Sequence, residues 1–196
     1  TELKFLKSQY HPHFLFNALN TVYFQIDESN KAPRRTLEMI SELLRYQLYG
    51  GNQKVSILQE IDYLKTYIAL RKLRMSERLR LRVEFPPELN ELNIYPLLFL
   101  PLVENAFKYV GGDYQLDIIM KWENNRISLF IRNSIPELSA EDEALRKSVD
   151  ERQRKGIGLV NLRRRLSLLY PNKHRLETRK EETEFVAELM IEIEEI

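Results

Sequence analysis

The apolar residues of this chain change their period at Leu79, and that change divides what the chain can fold into. Before it they recur at helical spacing: Leu37, Ile40, Leu44 and Leu48 follow one another at three, four and four, the stripe of an amphipathic helix. After it Leu81, Val83 and Phe85 alternate with Arg80, Arg82 and Glu84, as in a half-buried strand. The fold class that follows is α+β, with a helical part over 1–78 and a mixed domain over 79–196.

All six glycines fall in three pairs, Gly50-Gly51, Gly111-Gly112 and Gly156 with Gly158, and each pair ends or begins an element. Two helices are predicted before the first pair, over roughly 2–28 and 33–49, the second opened by Pro33. They should form an antiparallel hairpin. Ser56 with Gln59 reads as a capping box, and Ile57, Ile61, Leu64, Ile68 and Leu73 carry a further helix to about Ser76. The mixed domain is predicted to contain a helix from Pro101 to Val110, a hairpin of 115–123 and 126–133 turning at Asn124-Asn125, a helix from Gly158 to Tyr170, and strands near 174–180 and 184–194. Between Asn133 and Gly156 the chain is charged and free of glycine, too polar for core, so residues 134–155 are read as a flexible lid.

At 196 residues the chain can bury a real core. Lys plus Arg 30 against Asp plus Glu 29 leaves a net charge of +1, which predicts neither direct nucleic-acid binding nor attraction to a membrane surface. The absence of cysteine excludes disulfides and thiol catalysis. No apolar run approaches the roughly 20 residues of a membrane span. Leu3 and Leu6 already belong to a helical pattern, as in a piece of a longer protein.

The segment His11-Pro12-His13-Phe14-Leu15-Phe16-Asn17 heads the first helix. Leu15, Leu19, Val22 and Ile26 make its apolar stripe, and His11, four residues before Leu15, lies on it. His13 lies roughly opposite, on a face continued by Asn17 and Asn20, and is the imidazole available for chemistry. In the mixed domain, Leu102, Val103, Ala106 and Val110 bury one face of the predicted helix and leave Glu104, Asn105 and Lys108 on the other. An amide oxygen suits magnesium, and an ammonium one turn away can neutralise a phosphate. Gly156-Ile157-Gly158-Leu159 opens a helix with Asn161 and Arg165 near its first turns, where backbone N–H groups and the positive end of the helix dipole favour an anion. Its glycine spacing fits neither a Walker loop nor a dinucleotide fingerprint. Asn133 ends a strand just before the lid.

In this order the motifs resemble the sensor histidine kinases of the LytS/YehU type over nearly the whole chain. PHFLFNALN is similar to that family's phosphoacceptor box, ENAFKY to its asparagine box and GIGLVNLRRRL to its glycine-rich box. The resemblance implies a helical dimerisation and phosphotransfer domain followed by an ATP-binding α/β sandwich of the GHKL (Bergerat) type. It implies His13 as the phosphoacceptor, with Asn17 and Glu104 as further catalytic residues. Asn105, Lys108, Tyr109, Asn133, Gly156, Gly158, Leu159 and Asn161 would bind ATP, and Asn105 would hold Mg2+. A free imidazole titrates near about 6.5 and is largely nucleophilic at neutral pH. Also implied are a homodimer, a response regulator whose aspartate takes the phosphate, with a LytTR-type DNA-binding output, and a membrane sensor upstream, which makes this the cytoplasmic part of a bacterial inner-membrane protein.

The chain departs from the family pattern in two places. His11 stands where members often have asparagine. Where typical members carry an adenine-binding aspartate, this chain reads Arg132-Asn133-Ser134, an acceptor without charge, which implies weaker nucleotide binding. Two other classes share the motifs: a degenerate kinase acting as a signalling scaffold, and an ATPase using Glu104 as base for water.

Overall fold

A computed structural model describes residues 12–49, 53–87, 89, 92–137 and 157–193. His11, the first glycine pair, Gly156 and most of the expected lid lie outside the described residues. Helix α1 (Pro12–Gln25) and helix α2 (Lys31–Tyr49) form the hairpin. The Asp27 carboxylate accepts from the Ser29 backbone N–H at 2.8 Å and from its hydroxyl at 2.5 Å, which tightens the connecting turn. Arg34 then reaches back to the Ile26 carbonyl at 2.8 and 3.1 Å and satisfies an acceptor beyond the end of α1. Helix α2 starts two residues before Pro33, because a first helical turn has no backbone bond for proline to lose.

Burial in the hairpin differs from the predicted stripes. On α1, Leu15, Leu19 and Ile26 are half-buried but Val22 is 46% exposed. On α2 the buried side chains are Met39 and Leu43, beside the predicted stripe, whose members are half-buried. The cause is that α2 packs against α1 and also against the next helix, so its covered surface is wider than one stripe.

A two-residue strand β1 (Val55–Ser56) precedes helix α3 (Ile57–Lys72) and pairs antiparallel with β3 (Asn93–Ile94). Neither short strand is visible in the sequence periodicity. The capping box is present: Ser56 Oγ accepts from the Leu58 N–H at 3.2 Å, and Gln59 Oε1 from the Ser56 N–H at 3.1 Å. β2 (Arg80–Glu84), helix α4 (Leu100–Tyr109), β4 (Gln115–Glu123), β5 (Arg126–Ser134), helix α5 (Ile157–Leu169), β6 (His174–Lys180) and β7 (Glu184–Glu192) follow. One five-stranded sheet has the order β2-β4-β5-β7-β6, with β2 parallel to β4 and the other pairs antiparallel. Asn124 and Asn125 take φ 52° and 59°, the left-handed pair that a two-residue hairpin turn requires.

The helices cover one face of the sheet. Leu116, Ile118, Leu129, Ile131 and Leu189 from the strands, Leu102, Val103 and Ala106 from α4, and Leu162 and Leu166 from α5 form a single buried cluster. Ile57, Ile61, Leu64 and Ile68 of α3 belong to that same cluster. The core therefore runs across the line at 78/79 where the sequence changes period, and α3 serves both the hairpin, through α2, and the sheet, through α4.

Candidate functional site

His13 is exposed on the first described turn of α1. Its Nδ1 lies 3.1 Å from Nδ2 of Asn17, one turn on, and Asn17 is also exposed. The amide can donate to a bare Nδ1 or, turned over, accept from Nδ1–H, and the orientation it takes sets which ring nitrogen keeps its lone pair. Asn20 continues the same exposed face. The structure thus puts His13 on the solvent side of the hairpin, opposite the half-buried stripe.

The second group of candidates gathers on α4 and its neighbours. Pro101 in the first turn starts the helix, and Leu102, Val103 and Ala106 anchor it in the core. Glu104, Lys108 and Tyr109 are then exposed and Asn105 half-buried. Desolvation pushes the Glu104 carboxyl above its ordinary range, and the positive charge of Arg71 on α3 opposes the rise. Arg71 lies over the Phe107 ring at 5.7 Å, and Lys108 Nζ stands 5.0 Å from the Tyr109 ring centre.

Asn133 is fully buried at the end of β5. Its Nδ2 donates to the Ser134 carbonyl at 3.3 Å, while its Oδ1 is buried without a partner. A buried acceptor in that state costs free energy that a donor would recover. Ser134 ties this strand end to the loop after α4: its Oγ donates to the Gly111 carbonyl at 2.6 Å and accepts from the Gln115 N–H at 2.8 Å. Gly111 has no room for a side chain, since a Cβ would stand 2.9 Å from Pro136 Cδ, and Gly112 takes φ +60° beside the Ile135 carbonyl. The second glycine pair is required by this close approach. Gly158 is exposed in the first turn of α5, and among the described residues nothing stands within 4 Å of where its Cβ would be. Leu159 is half-buried, Asn161 is exposed, and no acidic side chain occupies that turn.

Helix α4 packs on β5, whose end carries Asn133, and on α5, whose first turn carries Gly158. Helix α1 packs on α2, and among the described residues no comparable packing of α1 on α4 is found.

A family model described as histidine kinase matches residues 1–79. Sensor protein kinase HptS of Staphylococcus aureus (strain USA300) is 29% identical over 180 residues, which are 89% of this chain and 35% of HptS. The histidine kinase domain of the blue-light activated histidine kinase from Erythrobacter litoralis EL346 has the same fold at 14% identity, with a TM-score of 0.50 over 89% of this chain and 93% of that one. The chain is similar to sensor histidine kinases over most of its length. It spans about a third of the length of the curated relatives it matches, and its helical part and five-stranded sheet share the fold of the Erythrobacter domain.

Several polar groups of the protein escape a reading by motif. Ser134 is one. Arg71, whose Nε is buried without a partner, is another. The third is Glu60, with no exposed surface. Burial pushes its carboxyl above the usual range, opposed by hydrogen bonds from Tyr46 and from the backbone N–H groups of Leu97, Phe99 and Leu98. Burial likewise raises the phenol of Tyr46, with the Glu60 charge adding to it, and that of Tyr63, the latter to about 12. A signal for Glu60 existed: it stands three residues after Ile57 and four before Leu64, on the apolar stripe of α3.

Proposed function

We propose that this chain is the autophosphorylating part of a two-component sensor kinase, an ATP-dependent protein-histidine kinase with His13 as phosphoacceptor. The observation that carries the proposal is the His13 ring, exposed on α1 and engaged at Nδ1 by Asn17. With the Asn17 amide oxygen turned to Nδ1–H, the Nε2 lone pair is directed outward and can attack the terminal phosphoryl group in line. The N–P bond forms, the bond to the ADP oxygen breaks, and ADP leaves with the electron pair. Transfer of this kind asks for alignment and charge stabilisation rather than covalent machinery. Glu104, whose carboxyl partial desolvation raises, would take the Nδ1 proton once N–P bonding has made the ring an imidazolium.

The residues present fit a purine nucleotide. Asn133 Oδ1, buried and unpaired, accepts from the adenine amino group. Lys108 neutralises phosphate, Tyr109 walls the site beside it, and the opening turn of α5, with Gly158, Leu159 and Asn161 and with Gly156 just before it in sequence, offers backbone N–H groups to the phosphates. Asn105 would hold Mg2+, which would supply positive charge to the phosphate oxygens.

The functional division in this proposal follows the core. The hairpin of α1 and α2 carries the phosphoacceptor, and the catalytic body begins at Val55 with α3 inside it, in place of a boundary at 78/79. Phe14 and Phe24, 71% and 78% exposed on α1, are apolar surface for a second copy, which would give a homodimer with a four-helix bundle. The sensing role in the name of HptS supports a kinase portion joined to a sensor; we read that portion as cytoplasmic and the sensor as part of a bacterial inner-membrane protein. The phosphate would pass to an aspartate of a response regulator, with a LytTR-type output.

Incubation of the protein with labelled ATP and magnesium tests this. The expected product carries acid-labile, alkali-stable label that is absent from His13→Gln and retained in His11→Gln. Label that survives His13→Gln sinks the assignment. No heat of ATP binding at millimolar nucleotide would point to a scaffold, and steady phosphate release without protein label to an ATPase.

A further inference from the structure

Glu60 lies where three elements meet. It projects from α3, and its Oε2 accepts from the Tyr46 hydroxyl of α2 at 2.6 Å and from the Leu97 backbone N–H at 3.0 Å. Its Oε1 is buried without a partner. Leu97 stands just before α4 with φ 59°, a left-handed conformation that is costly for a leucine and persists only where the surroundings enforce it. Glu60 holds the Leu97 N–H, and Arg165 of α5 approaches its carbonyl at 3.5 Å.

The start of α4 depends on this arrangement. The first N–H groups of a helix have no intrahelical acceptor, and Phe99 at the N-cap offers no side-chain oxygen. A carboxylate from the neighbouring helix supplies an acceptor and negative charge at the positive end of α4, the helix that carries Asn105 and Lys108. The Tyr46 bond is also well supported. Its ring stacks on Tyr63 at 4.6 Å, Gln47 donates to the Tyr63 hydroxyl at 2.6 Å, and Leu43 and Leu100 are buried in the same small cluster. One carboxylate oxygen is therefore shared between the hairpin and the entry to the nucleotide helix. Helix α1 packs on α2, so a movement of α2 carries His13 with it, and the Tyr46 bond is one of the contacts that hold α2 at the entry to α4.

We propose that Glu60 is a positioning residue for the nucleotide-binding helix, and that the Tyr46–Glu60 bond ties the phosphoacceptor hairpin to it in a resting arrangement whose release speeds phosphorylation of His13. This rests on the kinase assignment above.

The test uses the full chain, labelled ATP and two conservative variants. Tyr46→Phe keeps the stack on Tyr63 and removes only the hydroxyl. It should raise the rate of His13 labelling at saturating ATP by about threefold or more, the worth of one hydrogen bond, with the KM for ATP unchanged within about twofold. Glu60→Gln keeps the volume and loses the charge, and should raise the KM for ATP by about threefold or more. Adding Tyr46→Phe to Glu60→Gln should then change the rate little, because the two act through one bond. A Tyr46→Phe protein that labels at the parent rate or more slowly overturns the coupling, as does a full additive gain in the double variant. Should Glu60→Gln fail to melt cooperatively, the Tyr46→Phe arm decides alone. A parent protein that folds but takes no label overturns the kinase assignment and this proposal together, whereas a labelled parent with an inert Tyr46→Phe overturns the coupling only.

Discussion

The hairpin and the α/β body solve the burial problem in opposite ways. In the body, Ile57, Leu64, Phe99, Leu116, Ile118, Ile127 and Leu166 have at most 1% of their surface exposed, and they come from helices and strands far apart in sequence. In the hairpin the buried apolar side chains are Met39 and Leu43, while Phe14, Phe24 and Tyr49 face solvent. The body closes its own core. The hairpin is held by local devices, the Asp27 turn, the Arg34 cap and the Tyr23 hydroxyl on Glu38 at 3.1 Å, and presents apolar surface outward. A module whose stability comes from outside itself can be repositioned, which suits the part that must deliver a side chain to a distant site.

The contrast can be broken most directly in the core. Leu64→Ala should cost about 2–5 kcal/mol in denaturant unfolding of the body, whereas Phe24→Ser should leave the body's transition within about 0.5 kcal/mol and instead weaken self-association measured by sedimentation. Equal losses of stability for the two would erase the distinction. Next in size is the buried acceptor of the body's site. Asn133→Val removes Oδ1, and calorimetry should show ATP bound about tenfold more weakly, the equivalent of one well-made hydrogen bond in a dry site. Unchanged affinity would mean that the unpaired oxygen does not face the base.

A smaller effect separates α3 from the hairpin. Ser56→Ala deletes the capping box at the start of α3 and should lower the stability of the body by about 1 kcal/mol, and amide exchange in α1 should stay as it is. Increased exchange in α1 would make hairpin and body one cooperative unit. The smallest effect concerns the hairpin turn and is read by pH. The Ser29 hydroxyl and N–H hold the Asp27 carboxyl below its ordinary value, so the turn's contribution is complete above about pH 4, the unfolded value, and is lost as the pH falls through the lower folded one. Carbon-detected titration of Asp27 should show that depressed midpoint, and Ser29→Ala should return it to the ordinary range.

Much of the fold was legible locally. Apolar period separated helices from strands, Ser56 and Gln59 gave the start of α3, and Asn124-Asn125 gave the hairpin turn with its two positive φ angles. The site was legible as strings: His13 with Asn17 on one exposed face, and Glu104, Asn105 and Lys108 opposite the anchored face of α4. What local pattern could not carry was membership of the core. Met39 and Leu43 are buried because α2 has two neighbours, and α3 joins the sheet although its periodicity matches that of the hairpin helices.

The sequence by itself determined which segments are helix or strand, where they are capped, and which family's motifs they display, because capping, turn chemistry and amphipathic period act over a few residues. Only the tertiary structure decided that Asn133 Oδ1 is sealed without a partner, that Gly111 must lie against Pro136, and that one oxygen of Glu60 joins α2 to the start of α4. Burial and hydrogen-bond satisfaction depend on what arrives from elsewhere in the chain, and no local spacing records that.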